Sequence, residues 1–167
     1  SGMLRTGTFH GVAFSPDSCH LAFSEIEGNG YVEVVVPATG KTTCLLANRL
    51  LPLKPKGVAF TQDGHYAAIV SAMNVSPETE WEARRSVISI HRYRAEAGVI
   101  EDMPLAEYLH TNASFSSLEA CTFLPGRMGG DYGLLVVDQA NDQVLAFAFD
   151  ERENRVTFSG VFSGDLS

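Results

Sequence analysis

The chain has 167 residues, 45% hydrophobic and 19% charged, with 20 acidic against 12 basic side chains and a net charge of −8. This is a globular composition, long enough to bury a core, and its acidity argues against a phosphate-neutralising surface and hence against nucleic acid as a partner. No apolar run nears the ~20 residues that cross a bilayer, and no apolar stretch follows the opening Ser1-Gly2-Met3-Leu4-Arg5, so neither a membrane partner nor a signal peptide is expected.

Ser1-Gly2 reads as a cleavage remnant ahead of Met3, leaving one domain over residues 3–167. Cys19, Cys44 and Cys121 stand singly among apolar residues, at no metal-ligand spacing. That favours buried thiols in a reducing, cytoplasmic setting over a disulfide framework.

In chain order, the first segment is Gly11-Val12-Ala13-Phe14, followed by the turn Ser15-Pro16-Asp17-Ser18 and an apolar strand through Leu21-Ala22-Phe23. Strands over 31–36 and 41–46 follow, joined by Pro37-Ala38-Thr39-Gly40, whose Pro and Gly suit a tight turn. The opening then recurs as Gly57-Val58-Ala59-Phe60 and Thr61-Gln62-Asp63-Gly64, about 46 residues on. That is the period of one propeller blade. Strands over 66–70, 86–93 and 99–109 continue the second copy. Between the first two, Ser76 as N-cap, Pro77, Glu78 and Glu80, with Arg84 and Arg85 at the far end, predict a helix of about two turns. The third copy is looser: Ala120-Cys121-Thr122-Phe123, a turn at Leu124-Pro125-Gly126, then strands over 132–137, 143–149 and 156–162, with a hairpin signal at Asn141-Asp142. Runs such as 32–36 and 134–137 are more continuously apolar than a sheet with one wet face would show, as in sheets covered from both sides.

The expected fold is all-β: three four-stranded antiparallel propeller blades over about 9–48, 56–109 and 118–164. The Gly-Val-Ala-Phe-Ser-Pro-Asp and Gly-Val-Ala-Phe-Thr-Gln-Asp-Gly copies resemble repeats of the lactonase and YVTN types, and less closely NHL and SMP-30-like repeats. The third copy resembles them in its strand, acidic turn and strand: Asn141-Asp142-Gln143-Val144-Leu145-Ala146-Phe147, Asp150-Glu151, then Arg155-Val156-Thr157-Phe158. A Trp-Asp dipeptide is absent, which sets the chain apart from typical WD40 repeats. The resemblance is specific for fold and weak for function, because one propeller scaffold hosts many activities.

Each first strand of a propeller blade lines the central channel. The residue before its small repeat residue is His10, Lys56 and Glu119 in turn, so three titratable groups are expected at one mouth, as a ligand site or as a solvated strand entry. In SMP-30-like hydrolases a Glu at such an entry is a metal ligand, and the resemblance places Glu119 there; the rest of that pattern is missing. The loop over 72–85 opens on the same mouth, and its Trp81, beside Arg84 and Arg85, is either a contact anchor or a cap packed on the sheet. His65, His91 and His110 are expected at the surface, and Phe14, Phe60 and Phe123 buried. No nucleophile or P-loop motif is present.

The reading is a non-enzymatic binding module that works without a cofactor and takes a protein or small ligand at the mouth. Its alternative is a lactonase- or SMP-30-like hydrolase using His10, Glu119 and a divalent metal. Propellers close with about four to eight blades, so three blades predict a homodimer that closes a six-bladed ring.

Overall fold

Alternating side chains and short turns give three successive antiparallel meanders. The computed structural model describes residues 7–26, 30–47, 53–73, 86–110, 117–128 and 131–162. Blade one comprises β1 (Phe9–Phe14), β2 (Leu21–Glu25), β3 (Tyr31–Val36) and β4 (Lys41–Ala47), in that order across the sheet. Blade two comprises β5 (Leu53–Phe60), β6 (Tyr66–Met73) and β7 (Ser86–Arg94), with β8 (Val99–Ile100) and β9 (Ala106–His110) both along the outer edge of β7. Blade three is β10 (Leu118–Met128), β11 (Asp131–Asp138), β12 (Gln143–Asp150) and β13 (Arg155–Val161). The expected helix and Trp81, Arg84 and Arg85 lie outside the described residues, as does the His110 side chain.

The blades stack through two cores. Ala22, Val32 and Val34 of blade one meet Val58, Ile69, Tyr93 and Ile100 of blade two. On the other face of blade two, Ala68, Val70, Ile88 and Ile90 meet Leu134, Val136, Phe147 and Phe149 of blade three. Blade two is therefore apolar on both faces, which accounts for its continuous hydrophobic runs.

The inner strands approach closest. A Cβ on Gly11 would lie 2.5 Å from the Lys56 carbonyl oxygen, and one on Gly57 would lie 3.0 Å from the Ala120 Cα. The first is closer than a Cβ tolerates and the second is tighter than nearly all such contacts, so backbone contact with the next blade favours glycine at this repeat position in blades one and two.

Several elements depart from the sequence reading. The fourth strand of blade two is two pieces, because Pro104 has no N–H to continue the ladder. Glu101 N still donates to Arg92 O and Leu105 N to Ile90 O, so the intervening residues loop out. His91 sits opposite that gap and is buried at 5% exposure, where a surface position was expected. Its Nδ1 lies 2.8 Å from the Glu101 carbonyl oxygen and its Nε2 2.9 Å from Ser89 Oγ, and burial holds its pKa below the usual histidine value. His65 is exposed as expected.

In blade three the expected turn at Leu124-Pro125-Gly126 lies within β10, whose ladder shifts register between Phe123 and Arg127. Pro125 is tolerated at such an irregularity. Cys19 is exposed in the β1–β2 turn, and Cys44 and Cys121 are half-buried; burial pushes the Cys121 thiol up to about 12.

Phe60 and Phe123 pack half-buried against the preceding blade, whereas Phe14 is 61% exposed, against the expectation of burial. The repeat phenylalanine always points toward the preceding blade, and blade one has none described before it. Removing the Phe149 side chain, 1% exposed, should therefore cost about 3–5 kcal/mol. In dilute samples Phe14→Ala should stay within about 0.5 kcal/mol of the parent. Urea denaturation of both variants checks the blade order, which equal losses would contradict.

Candidate functional site

The entries of the three inner strands converge at one end of the hub. Lys56 Nζ lies 2.5 Å from Glu119 Oε1, and His10 Nε2 lies 3.5 Å from Glu119 Oε2. One carboxylate thus joins a residue from each blade. It projects there because the β10 ladder shifts register between Leu118 and Ala120. Ser117 Oγ donates to the same Oε1 at 2.5 Å. Lys56 and Glu119 are partly buried, and His10 is exposed.

Backbone ties hold the inner strands in place. Gly11 N donates to Ser24 Oγ at 2.8 Å, and that hydroxyl donates to the Lys56 carbonyl at 3.0 Å, linking blade one to blade two. Leu118 N donates to Ser86 Oγ, linking blade three to blade two. Behind Glu119 stands Asp138, 0% exposed, which accepts from Ser117 N, Asn141 Nδ2 and Gln143 Nε2. Asp138 positions Ser117, and Ser117 positions Glu119. Ser117 and Asp138 escaped the sequence reading because a polar run at a strand end reads only as a turn.

Chemically, Glu119 is a carboxylate already bound by an ammonium and a hydroxyl. A divalent cation at this place would have to displace Lys56, and among the described residues no group of three or more His, Cys, Asp or Glu side chains is placed to share a metal ion. The accessible donors of the cluster are the imidazole of His10 and the ammonium of Lys56.

The opposite end of the blades carries a second set of cross-blade bonds, built on the repeated Ser/Thr-x-Asp turn. Ser15 Oγ donates to Asp17 Oδ1 in blade one, and Thr61 Oγ1 to Asp63 Oδ1 in blade two. Tyr132 of blade three donates to Asp63 Oδ2 at 2.6 Å. Tyr93 OH of blade two lies 3.1 Å from His20 Nδ1 of blade one. Burial alone would raise the Asp63 pKa, but the hydrogen bonds from Tyr132, Thr61 and the His65 amide outweigh it and hold the carboxyl below its usual range.

With this geometry in view, the fold has clear counterparts among solved structures. The chain is similar to the Cps50 (Swd1) β-propeller domain of Myceliophteria thermophila, with a TM-score of 0.58 at 13% identity over 97% of this chain and 41% of that one. It is similar to Kluyveromyces lactis Hsv2, with a TM-score of 0.60 at 13% identity over 95% of this chain and 49% of that one. It is also similar to the RRP9 WD40 repeats, with a TM-score of 0.58 at 13% identity over 97% and 40%. The chain therefore spans less than half the length of these structures. No protein-family model and no curated protein matches the sequence.

At such identities the likeness carries the fold alone: these are blades of a β-propeller. The lactonase and YVTN subtype gains no support, since WD40 repeats are among the similar structures despite the missing Trp-Asp dipeptide.

Because the folded Asp63 carboxyl titrates below its unfolded value of about 3.9, it stabilises the fold above that pH and ceases to as pH falls through the folded pKa. Tyr132→Phe should cost about 1–2 kcal/mol near neutrality, the range for a partly exposed bond to a charged group. The gap from the parent should shrink below about pH 4. Thermal unfolding of both proteins between neutral and acid pH checks this, and a gap constant with pH would contradict it.

Proposed function

We propose that the chain is a non-enzymatic binding module that completes a propeller by pairing with a second copy, giving a closed six-bladed ring with a protein or small-molecule contact site at its mouth. The observation that carries this reading is the state of the end blades. Phe9, Val12, Phe14 and Leu45 are exposed on the face of blade one that points away from blade two, and Val137 is exposed on the far face of blade three. The residues equivalent to Val12 and Phe14 inside the stack, Val58 and Phe60 in blade two and Cys121 and Phe123 in blade three, are buried or half-buried. Grouped exposed apolar side chains mark association sites, and a symmetric ring covers both ends at once. Six blades fall within the four to eight that close propellers.

The mouth of that ring is where contact is proposed, through His10, Lys56 and Glu119 and, as the sequence reading expects, through Trp81, Arg84 and Arg85. Hydrolysis is not favoured, because Glu119, one of its two candidate residues with His10, is bound by Lys56 and Ser117. The module is proposed to work without a cofactor or metal, and in the cytoplasm, which fits three free cysteines. No helix among the described residues is long and apolar enough to cross a membrane.

Sedimentation velocity at micromolar concentration tests the ring. The expected result is a species of twice the 18.1 kDa chain mass. A folded monomer would contradict it.

A further inference from the structure

The outer edge of blade two breaks between β8 and β9, and a histidine fills the break. Glu101 N donates to Arg92 O at 2.9 Å and Leu105 N to Ile90 O at 2.7 Å, so the ladder skips the residue between them, His91. The His91 ring takes up the Glu101 carbonyl oxygen, 2.8 Å from Nδ1, and meets Ser89 Oγ 2.9 Å from Nε2. A carbonyl oxygen only accepts, so Nδ1 carries the proton, and in the neutral ring Nε2 accepts from the Ser89 hydroxyl. Just before Glu101, β8 pairs with β7 only through Val99 and Ile100. This short strand is where the outer strand of blade one attaches. Thr43 Oγ1 donates to Gly98 O at 2.7 Å and Cys44 Sγ to Ile100 O at 3.4 Å, and Ile100 shares a core with Val32 and Val34.

We propose that His91 is a proton-operated latch: its neutral ring holds residues 99–105 on β7, and protonation releases them and loosens the seam between blades one and two. The folded site is built for the neutral ring. A charged ring would donate from Nε2, and the Ser89 hydroxyl would have to turn its hydrogen to Ile69 O, 3.4 Å away and at the limit of a useful bond. On the looped-out segment, the Glu101 carboxylate is engaged by Arg94 Nε at 3.2 Å, and Asp102 is exposed, its attraction screened by solvent. On β4, Cys44 stays a neutral thiol, since burial raises its pKa. The β6 residue paired with His91 is Ala67, and farther along β7 Tyr93 OH lies 3.1 Å from His20 Nδ1.

Burial therefore holds the His91 pKa below its usual value, with the Glu101 carbonyl and the Asp102 charge opposing it only in part. In the opened segment the ring meets water and titrates near its ordinary value of about 6.5. The open form binds the proton more readily, so the latch is closed above about pH 6.5 and is lost progressively as pH falls toward the pKa of the closed form.

Amide hydrogen exchange by mass spectrometry on the full chain, with times corrected for the intrinsic pH dependence, tests the latch. Between about pH 7.5 and about pH 5.5, residues 99–105 should lose protection by about three- to tenfold, tenfold being the limit for one proton over this range. They should remain less protected than β6 throughout, as local opening requires. His91→Gln, which cannot take the proton, should abolish the pH response, and His20→Asn, at the other histidine of this seam, should leave it intact. A parent without the response, a response that persists in His91→Gln or vanishes in His20→Asn, or protection equal to that of β6 would each overturn the latch. Should either variant lose its far-ultraviolet dichroism, titration of the parent's histidine rings by nuclear magnetic resonance decides. A His91 midpoint below that of the exposed His65 is expected, and one at or above it overturns the latch.

Discussion

Backbone contact at the hub constrains everything built outside it. Where β1 passes β5 and β5 passes β10, the strands come so close that a Cβ on Gly11 or Gly57 would meet main-chain atoms of the next blade. Blades that touch at the hub must fan apart toward the perimeter, and the widening gap is filled by progressively larger side chains. Alanines lie nearest the glycines, and Tyr66, Phe147 and Phe149 lie farther out. The same constraint brings the strand entries together, so that one carboxylate reaches both Lys56 and His10. Convergence of these side chains is a consequence of hub packing before it is a feature of any binding site.

Much of this was legible in the sequence because the repeat encodes it locally. Gly-Val-Ala-Phe followed by Ser or Thr, x, Asp specifies an inner strand and its turn, and the hydroxyl and carboxylate of that turn bond to each other as the residue types suggest. The equivalent position of His10, Lys56 and Glu119 followed from the same alignment. What stayed hidden depends on neighbours rather than on the copy itself. Phe14 is the same residue in the same repeat position as Phe60, yet it is exposed because nothing described precedes blade one. His91 looked like a surface residue until the break at Pro104 opened a slot that its ring fills. Glu33 stands where blade three has Leu145. It is fully buried, with the Thr42 hydroxyl donating to it, and the sequence of β3 gave no warning that this carboxylate would be covered.

The candidate site divides in the same way. Its charged members were readable as repeat positions, whereas Ser117 and Asp138 act through the chain's return at the β11–β12 turn, where Gln139 N donates to Ser117 O. That contact joins segments about 20 residues apart and has no signature in either one. The lactonase resemblance reflected strand and turn chemistry shared by many propellers, so it carried the fold and not the subtype.

If blades hold their structure mainly by covering one another, stability should grade along the stack. Amide hydrogen exchange followed by mass spectrometry on the dissociated chain measures this directly. The account predicts slowest exchange in β6 and β7, which are covered on both faces, and faster exchange in β3 and β12 of the end blades. Equal protection in all three blades, or slowest exchange in blade one, would contradict it.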